Sequence, residues 1–311
     1  NAGLEVFCLN QSDILHEKSR IKGVLRGISN RQAKLTFREL LKRFDRNDTI
    51  IHVHTWTKAL SSVVFKEAKR AKFQVLITVH DYFLVCPNGG LFNYQKREIC
   101  NIKPMSAKCL LCNCDARSYT QKLFRVWRQH RQNKNIRKNK YISYAFISEF
   151  SKREFLKRYN KITQERQYFL PNLVNIDQNR FRIECEKNSM YLFIGGITEV
   201  KGIRIFCEAV TKAEVPAVVI GEGILKEELQ SKYPNIKFVG WKSKEEMLPY
   251  LEQTRCLIFP SIWYETMGLI ALEAVAYGIP VLCSDLNAAQ VYIEHISKDL
   301  IYSGNVTKNL V

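Results

Sequence analysis

Glu265 and Glu273 stand eight positions apart in the stretch PSIWYETMGLIALEAVAYGIPVLCSD, residues 260–285, and Gly268 between them opens the helix-like run GLIALEAVAY. One carboxylate therefore precedes a helix N-terminus and the other lies inside the helix. Unpaired N–H groups and the helix dipole at such a start attract an anion, and glycine lets the backbone come close to it. Carboxylates on either side accept hydrogen bonds from vicinal hydroxyls. Together these groups suit a sugar joined to a diphosphate. Gly278 and Pro280 stop the helix, and the apolar PVLC that follows reads as a buried strand.

Two Glu at this spacing also recur on solvated helix faces, so the frame around them carries the weight. Pro260, Ser261, Glu265, Gly268, Leu269, Glu273, Ala274, Ala276, Gly278, Pro280 and Val281 together resemble the donor-sugar signature of glycosyltransferase family 4. The resemblance covers nearly all of the chain and is tighter in its second half. It implies an α/β chain of the GT-B type, two Rossmann-like parallel-sheet domains facing across a cleft, and a retaining transfer that needs no metal. GGITEVKG, residues 195–202, resembles the turn where an Arg and a Lys hold the donor diphosphate; Lys201 matches the Lys, and Gly196 stands where the Arg would be. GEG at 221–223 resembles a glycine turn of the same enzymes, although any tight strand-to-helix turn favours glycine. FVGW at 238–241 resembles the segment that meets the nucleobase, with Trp241 either stacking there or packing as an ordinary core residue.

The resemblance thus implies a donor site of Gly195, Gly196, Lys201, Gly221, Gly223, Val239, Trp241, Glu265, Thr266, Met267, Gly268, Leu269 and Glu273. Lys201 and the N–H groups at Met267 and Gly268 would neutralise the phosphate, Glu265 would hold the sugar hydroxyls, and Glu273 the ribose. His80 in TVHD, at the C-terminal end of an apolar strand, resembles the family histidine near the transferred sugar. A double displacement needs a carboxylate nucleophile about 5 Å from its acid partner, and no such pair is identifiable. The expected route is front-face substitution, with His80, Glu265 and Lys201 as the catalytic groups and leaving-group stabilisation as the main device. The implied partners are a UDP- or GDP-sugar and a glycan or lipid-linked acceptor, with no nucleic acid.

Positioning these groups requires two sheets. TIIHVH, QVLITVH and YISYAFIS alternate with the helix-like KALSSVVFKEAKRA and KREFLKRY, and the rhythm restarts at MYLFIGG and continues through PAVVIG, IKFVG and CLIFPS with helices between. The polar segment 172–186 separates the two runs. This places an acceptor-side domain with a Cys-rich insertion at 1–172 and a nucleotide-sugar-binding domain at 173–311. NAGLEVFCLN is strand-like at once and IYSGNVTKNLV stops abruptly, so both ends are expected to be cut, leaving the second domain incomplete.

The remaining features bear on partners. A formal charge of +18 over 311 residues implies an acidic partner, be it a phosphate donor, an anionic membrane or a nucleic acid. No apolar run reaches membrane-span length and no export signal opens the chain, which points to a cytoplasmic protein, either soluble or peripheral on the inner face of the membrane. Ten Cys in that setting argue for thiols or a metal site rather than a disulfide scaffold. Cys86, Cys100, Cys109 and Cys112, with Cys114 beyond them, form a candidate structural zinc site, because Cys109 and Cys112 have knuckle spacing. HVHTW puts His52 and His54 on one strand face, suited to a metal or, with Trp56, to an acceptor-side lining. Between Arg117 and Lys140 there are nine Lys or Arg and no acidic residue, and Tyr119, Leu123 and Trp127 make a stripe at helical spacing. Such a helix fits an anionic bilayer or packs on its own domain. A sugar-nucleotide epimerase of the same fold and a basic, metal-stapled nucleic-acid-binding protein are the competing classes; the latter has no use for Glu265 and Glu273 around a glycine-opened helix.

Overall fold

The computed structural model describes residues 4–174 and 181–303. The middle of the separating segment, 175–180, and the extreme ends on which the expected cuts rest lie outside the described residues.

In chain order the first half carries α1 (Arg20–Ile28), α2 (Arg31–Leu41), β1 (Ile50–Val53), α3 (Val63–Ala71), β2 (Gln74–Val79), the short strands β3 (Phe92–Asn93) and β4 (Glu98–Ile99), α4 (Ala107–Leu111), α5 (Tyr119–Ile136), β5 (Ile142–Phe146), α6 (Glu149–Leu156) and β6 (Gln167–Phe169). The second half carries β7 (Met190–Ile194), α7 (Ile203–Lys212), β8 (Ala217–Ile220), α8 (Lys226–Lys232), β9 (Ile236–Phe238), α9 (Lys244–Glu252), β10 (Thr254–Phe259), α10 (Leu269–Ala276), β11 (Val281–Ser284), α11 (Gln290–Glu294) and β12 (Ile301–Tyr302). The expected βαβ rhythm is observed. One sheet runs β1-β2-β5-β6 and the other β12-β11-β10-β7-β8-β9, and every pairing within both is parallel. The strand expected at the start is not there among residues 4–10: Leu4 and Val6 are exposed and pair with no strand.

The chain forms two compact units. The first comprises the residues up to Gly90, Asn101–Ile147 and Phe155–Leu170; the second comprises Leu91–Cys100, Ser148–Glu154 and the chain from Pro171 onward. In chain order the first unit ends at Leu170 and the second takes up the chain at Pro171. Residues 91–100 of the insertion group with the second unit, because the β3–β4 hairpin buries Phe92 against Val200 and Ile262, and Arg97 reaches Glu199 at 3.2 Å. Apolar contacts decided by tertiary packing are invisible to a composition-based boundary.

The second unit shows how local pattern builds its sheet. All four residues of β8, AVVI, are buried, as expected of a strand covered on both faces. On one face Ile203, Phe206, Cys207 and Val210 of α7, at helical spacing, meet Phe193, Val219 and Ile258. Burying such side chains contributes roughly 1.5–3 kcal/mol each, so Phe206→Ala would cost about 3–5 kcal/mol. On the other face Ala271 and Ala274 of α10 pack with Leu257, Phe259, Val281 and Ile293. Ser243 and Glu246 start α9 with reciprocal side-chain caps.

Candidate functional site

In the second sheet the chain runs from β7 to β8 and β9 on one side, then returns to place β10 on the other side of β7. Ligands of open parallel sheets bind outside the carboxyl ends of the strands at such a reversal. The turn after β7 ends in Lys201 and the loop after β10 carries Glu265, 64 positions later. At the reversal they meet: Lys201 Nζ lies 2.9 Å from Glu265 Oε1 and 2.8 Å from Oε2. Trp263 Nε1 donates to Oε2 at 2.9 Å and Ser261 Oγ at 3.1 Å. The ammonium also sits 5.6 Å from the centre of the Trp263 ring. Both side chains are mostly shielded, Lys201 26% and Glu265 13% exposed, so the pair is partly desolvated rather than a surface ion pair.

Close backbone approach makes this meeting possible. Gly202, directly after Lys201, has φ +69°, and a Cβ there would lie 1.8 Å from the Pro260 carbonyl oxygen. Ile262 N–H donates to Val200 O at 3.0 Å, tying the two turns together. Beside them the glycine turns after β7 and β8 interlock: Gly195 N–H donates to Ile220 O, Ile197 N–H to Glu222 O, and Gly221 N–H to Gly240 O. A Cβ on Gly221 would fall 1.9 Å from Gly195 O, so these glycines serve backbone packing as well as any ligand. Around Gly196 the space is open, with only Thr198 Cγ2 at 4.0 Å from the Cβ direction.

Gly268, with φ +75°, is the N-cap of α10, as its spacing predicts. Ala271 N–H donates to Gly268 O, and the N–H groups ahead of that first helical bond have no intrahelical acceptor. The Thr266 carbonyl is fixed by Ser148 Oγ at 2.6 Å, Met267 is buried, and Leu269 is the first helical residue. Glu273 lies in the second turn of α10, beside Lys244, Met247 and Tyr277 around a small recess. Val239 N–H joins Val219 O, and Trp241 is 71% exposed, so it is no packing residue. Sequence reasoning missed Trp263 and Ser261; the hydrogen-bonding types within four positions of Glu265 were the available signal.

In the first unit His80 follows β2. Its Nε2 lies 2.9 Å from His54 Nδ1, the His52 and His54 rings stand 4.3 Å apart, and His52 Nε2 meets Thr78 Oγ1 at 2.7 Å. Burial lowers the His80 pKa, helped by the nearby His54 and His52, and burial with His54 lowers that of His52. Neutral imidazoles are favoured. Asp81 accepts from Phe83 N–H and so caps the turn. Trp56 is not a lining residue: it is buried, edge-on to Phe65, with Nε1 donating to Gln132.

Among the described residues no three His, Cys, Asp or Glu side chains are arranged to hold a metal ion. Cys86, Cys109, Cys112 and Cys114 lie in the first unit, whereas Cys100 belongs to the hairpin of the second. A cation of the chain itself, Lys122, stands 2.9 Å from Cys114 Sγ and 3.7 Å from Cys109 Sγ. The basic run forms α5 with Tyr119, Leu123 and Trp127 exposed, while Lys122, Gln129 and Gln132 face inward. Two of its cations are committed elsewhere. Arg125 pairs with buried Asp115 at 3.0 Å, and Arg128 lies over Phe83, its pKa lowered by burial to about 10. Among the described residues no helix is long and apolar enough to cross a membrane.

Two parallel Rossmann-like sheets, one with a charged pair and a glycine-opened helix at its reversal, define an α/β protein of the GT-B fold. Residues 188–310, which are most of the second unit, match the family model described as glycosyl transferases group 1. The chain is 25% identical over 237 residues, 73% of its length and 64% of the relative's, to an uncharacterized 41.2 kDa protein in the cps region of Klebsiella pneumoniae. It is 29% identical over 109 residues, 33% of its length and 29% of the relative's, to the D-rhamnosyltransferase WbpZ of Pseudomonas aeruginosa. The matched stretches therefore span less than two thirds of either curated relative. Among solved structures, Anabaena Alr3699/HepE in complex with UDP-glucose superposes with a TM-score of 0.58 at 14% identity, over 89% of this chain and 70% of that one.

Proposed function

We propose that the protein is a retaining glycosyltransferase that moves a sugar from a nucleoside diphosphate, UDP or GDP, to a glycan or lipid-linked acceptor of polysaccharide assembly. The Lys201–Glu265 pair at the sheet reversal carries this reading. Catalysis of glycosyl transfer needs a cation where negative charge accumulates on the leaving diphosphate and a fixed acceptor for sugar hydroxyls. A lysine and a carboxylate held side by side, next to a helix N-terminus, provide both. On donor binding Lys201 turns to the diphosphate together with the N–H groups at Met267 and Gly268. Trp263 and Ser261 then keep the Glu265 carboxylate in place for the sugar, and Glu273 serves the ribose. The departing phosphate takes the acceptor's proton in a front-face substitution. A neutral His80 imidazole, favoured by its lowered pKa, can hydrogen-bond a hydroxyl of the transferred sugar. The exposed Tyr119, Leu123 and Trp127 stripe supports an acceptor met at an anionic bilayer.

The test is calorimetric titration of UDP, GDP and their sugars into the full chain, followed by steady-state transfer assays. Glu273→Ala mainly weakens donor affinity, whereas Glu265→Ala mainly lowers turnover. Unaltered binding and turnover in both folded variants overturn the donor-site assignment.

A further inference from the structure

The first unit holds a cluster that the donor chemistry does not use. Lys122, on the first turn of α5, has no exposed surface. A desolvated ammonium is costly unless an anion meets it. What meets it is sulfur, with Cys114 Sγ 2.9 Å from Nζ and Cys109 Sγ at 3.7 Å. Cys114 is itself only 4% exposed. Its sulfur receives a second N–H, from Asn88 Nδ2 at 3.2 Å, and the same amide is oriented by its bond to Cys114 O at 2.8 Å. An ammonium and an amide N–H are thus both aimed at one sulfur.

The flanks keep the two atoms together. Asp115, next to Cys114, pairs with Arg125 one turn along α5, and Ser118 caps that helix between them. Nitrogen and sulfur are thus held from both sides at 2.9 Å.

We propose that Cys114 and Lys122 form a reversible covalent cross-link in which one oxygen atom joins Sγ to Nζ, with dioxygen as the oxidant. The thiol, the amine and one dioxygen give the S–O–N bridge and one water. The S–H bond, one N–H bond and the O=O bond break, and one S–O, one N–O and two O–H bonds form. Sulfur and nitrogen each lose two electrons, and the four electrons reduce dioxygen; one oxygen atom stays in the bridge and the other leaves as water with the two hydrogens. Two equivalents of a dithiol return four electrons and four protons, giving thiol, amine and water. Dioxygen is small and apolar, and local opening of the fold admits it to a buried pair. The bridge fastens the Cys-rich segment to α5, a redox mark that does not depend on the reading of the donor site.

The experiment is mass mapping of the full chain purified in air without reductant and digested without reduction, beside protein prepared anaerobically. The expected result is a cross-linked fragment containing Cys114 and Lys122 that gains one oxygen and loses two hydrogens in air. It reverts with dithiothreitol and is absent from the anaerobic sample. Cys114→Ser and Lys122→Arg each abolish it; if either variant fails to fold, the wild-type masses decide. An unmodified pair in aerated protein overturns the proposal, as does a loss of two hydrogens without oxygen, which marks a disulfide. Oxygen gained on Cys114 alone without the cross-link, or a zinc ion retained in the native mass, overturns it too.

Discussion

Removing the charge from either side of the Lys201–Glu265 pair should expose how much the two groups depend on each other. Exposed ion pairs couple by roughly 0–1 kcal/mol, whereas breaking a buried one costs roughly 3–5 kcal/mol. With Lys201 26% and Glu265 13% exposed, and both carboxylate oxygens engaged by the ammonium, the pair falls between these limits. A double-mutant cycle of Lys201→Met, Glu265→Gln and the double variant should give a coupling energy of about 2 kcal/mol, or ~30-fold. Each single variant leaves its partner's charge part-buried, so the two single losses of stability should sum to more than the loss in the double variant. Amide exchange of β7 and β10 is the suitable assay, since it reports opening of the second unit rather than of the whole chain. The coupling should shrink in saturating nucleoside diphosphate, because Lys201 then answers to phosphate. A coupling below about 0.5 kcal/mol without ligand would show that the two groups are independently solvated and that the argument from their proximity is wrong.

Other expectations are as direct. Trp263→Phe keeps the ring but removes the N–H on Glu265 Oε2, and should lower turnover about tenfold at an unchanged melting temperature, because a hydrogen bond to a charged group contributes about 1.5–3 kcal/mol and two other donors remain on that oxygen; equal kinetics would remove Trp263 from the site. Gly202→Ala forces a Cβ against Pro260 O from a left-handed backbone and should destabilise the second unit by at least about 1–3 kcal/mol in denaturant titration. Because the His80 and His52 pKa values lie below the ordinary imidazole value of about 6.5, the unfolded chain binds protons first as pH falls. Stability is therefore complete above that value and declines as pH drops from it towards the lowered folded values, and His52→Asn with His80→Asn should flatten the decline seen by thermal unfolding. Arg131, Lys134 and Lys138 are exposed, unlike Arg125 and Arg128. Changing the three to Gln should weaken binding to acidic vesicles in a salt-sensitive way while leaving nucleotide binding intact, and equal binding to neutral vesicles would return α5 to an ordinary solvated surface.

Much of the fold was legible because its signals are local. Runs such as QVLITV, AVVI and CLIFPS are apolar enough to be strands buried on both faces, and the helices between them are capped and spaced by near neighbours in sequence. Gly268 was readable as a helix start for the same reason. What escaped was non-local. No periodicity says that Lys201 and Glu265 touch, since that depends on which side of β7 the chain places β10. The exposed stripe of α5 followed from helical spacing, but spacing could not reveal that Lys122 would turn inward to sulfur or that Arg128 would lie over an aromatic ring. Knuckle spacing likewise describes two cysteines and not the company they keep.

The β3–β4 hairpin ties the order of synthesis to the order of folding. Phe92 leaves the ribosome long before Val200 and Ile262, the residues that cover it. At ~5–20 residues per second the wait lasts roughly 5 to 35 seconds. During that interval the first sheet can assemble from β1, β2 and β5, but the hairpin in its midst has nothing to bury its ring against. The nascent chain therefore carries an open apolar loop, a place for a chaperone or for a wrong partner, until β10 and the loop after it emerge. A gene cut near residue 170 would give a second half that never receives its hairpin, so the second unit cannot be encoded by one continuous stretch of message.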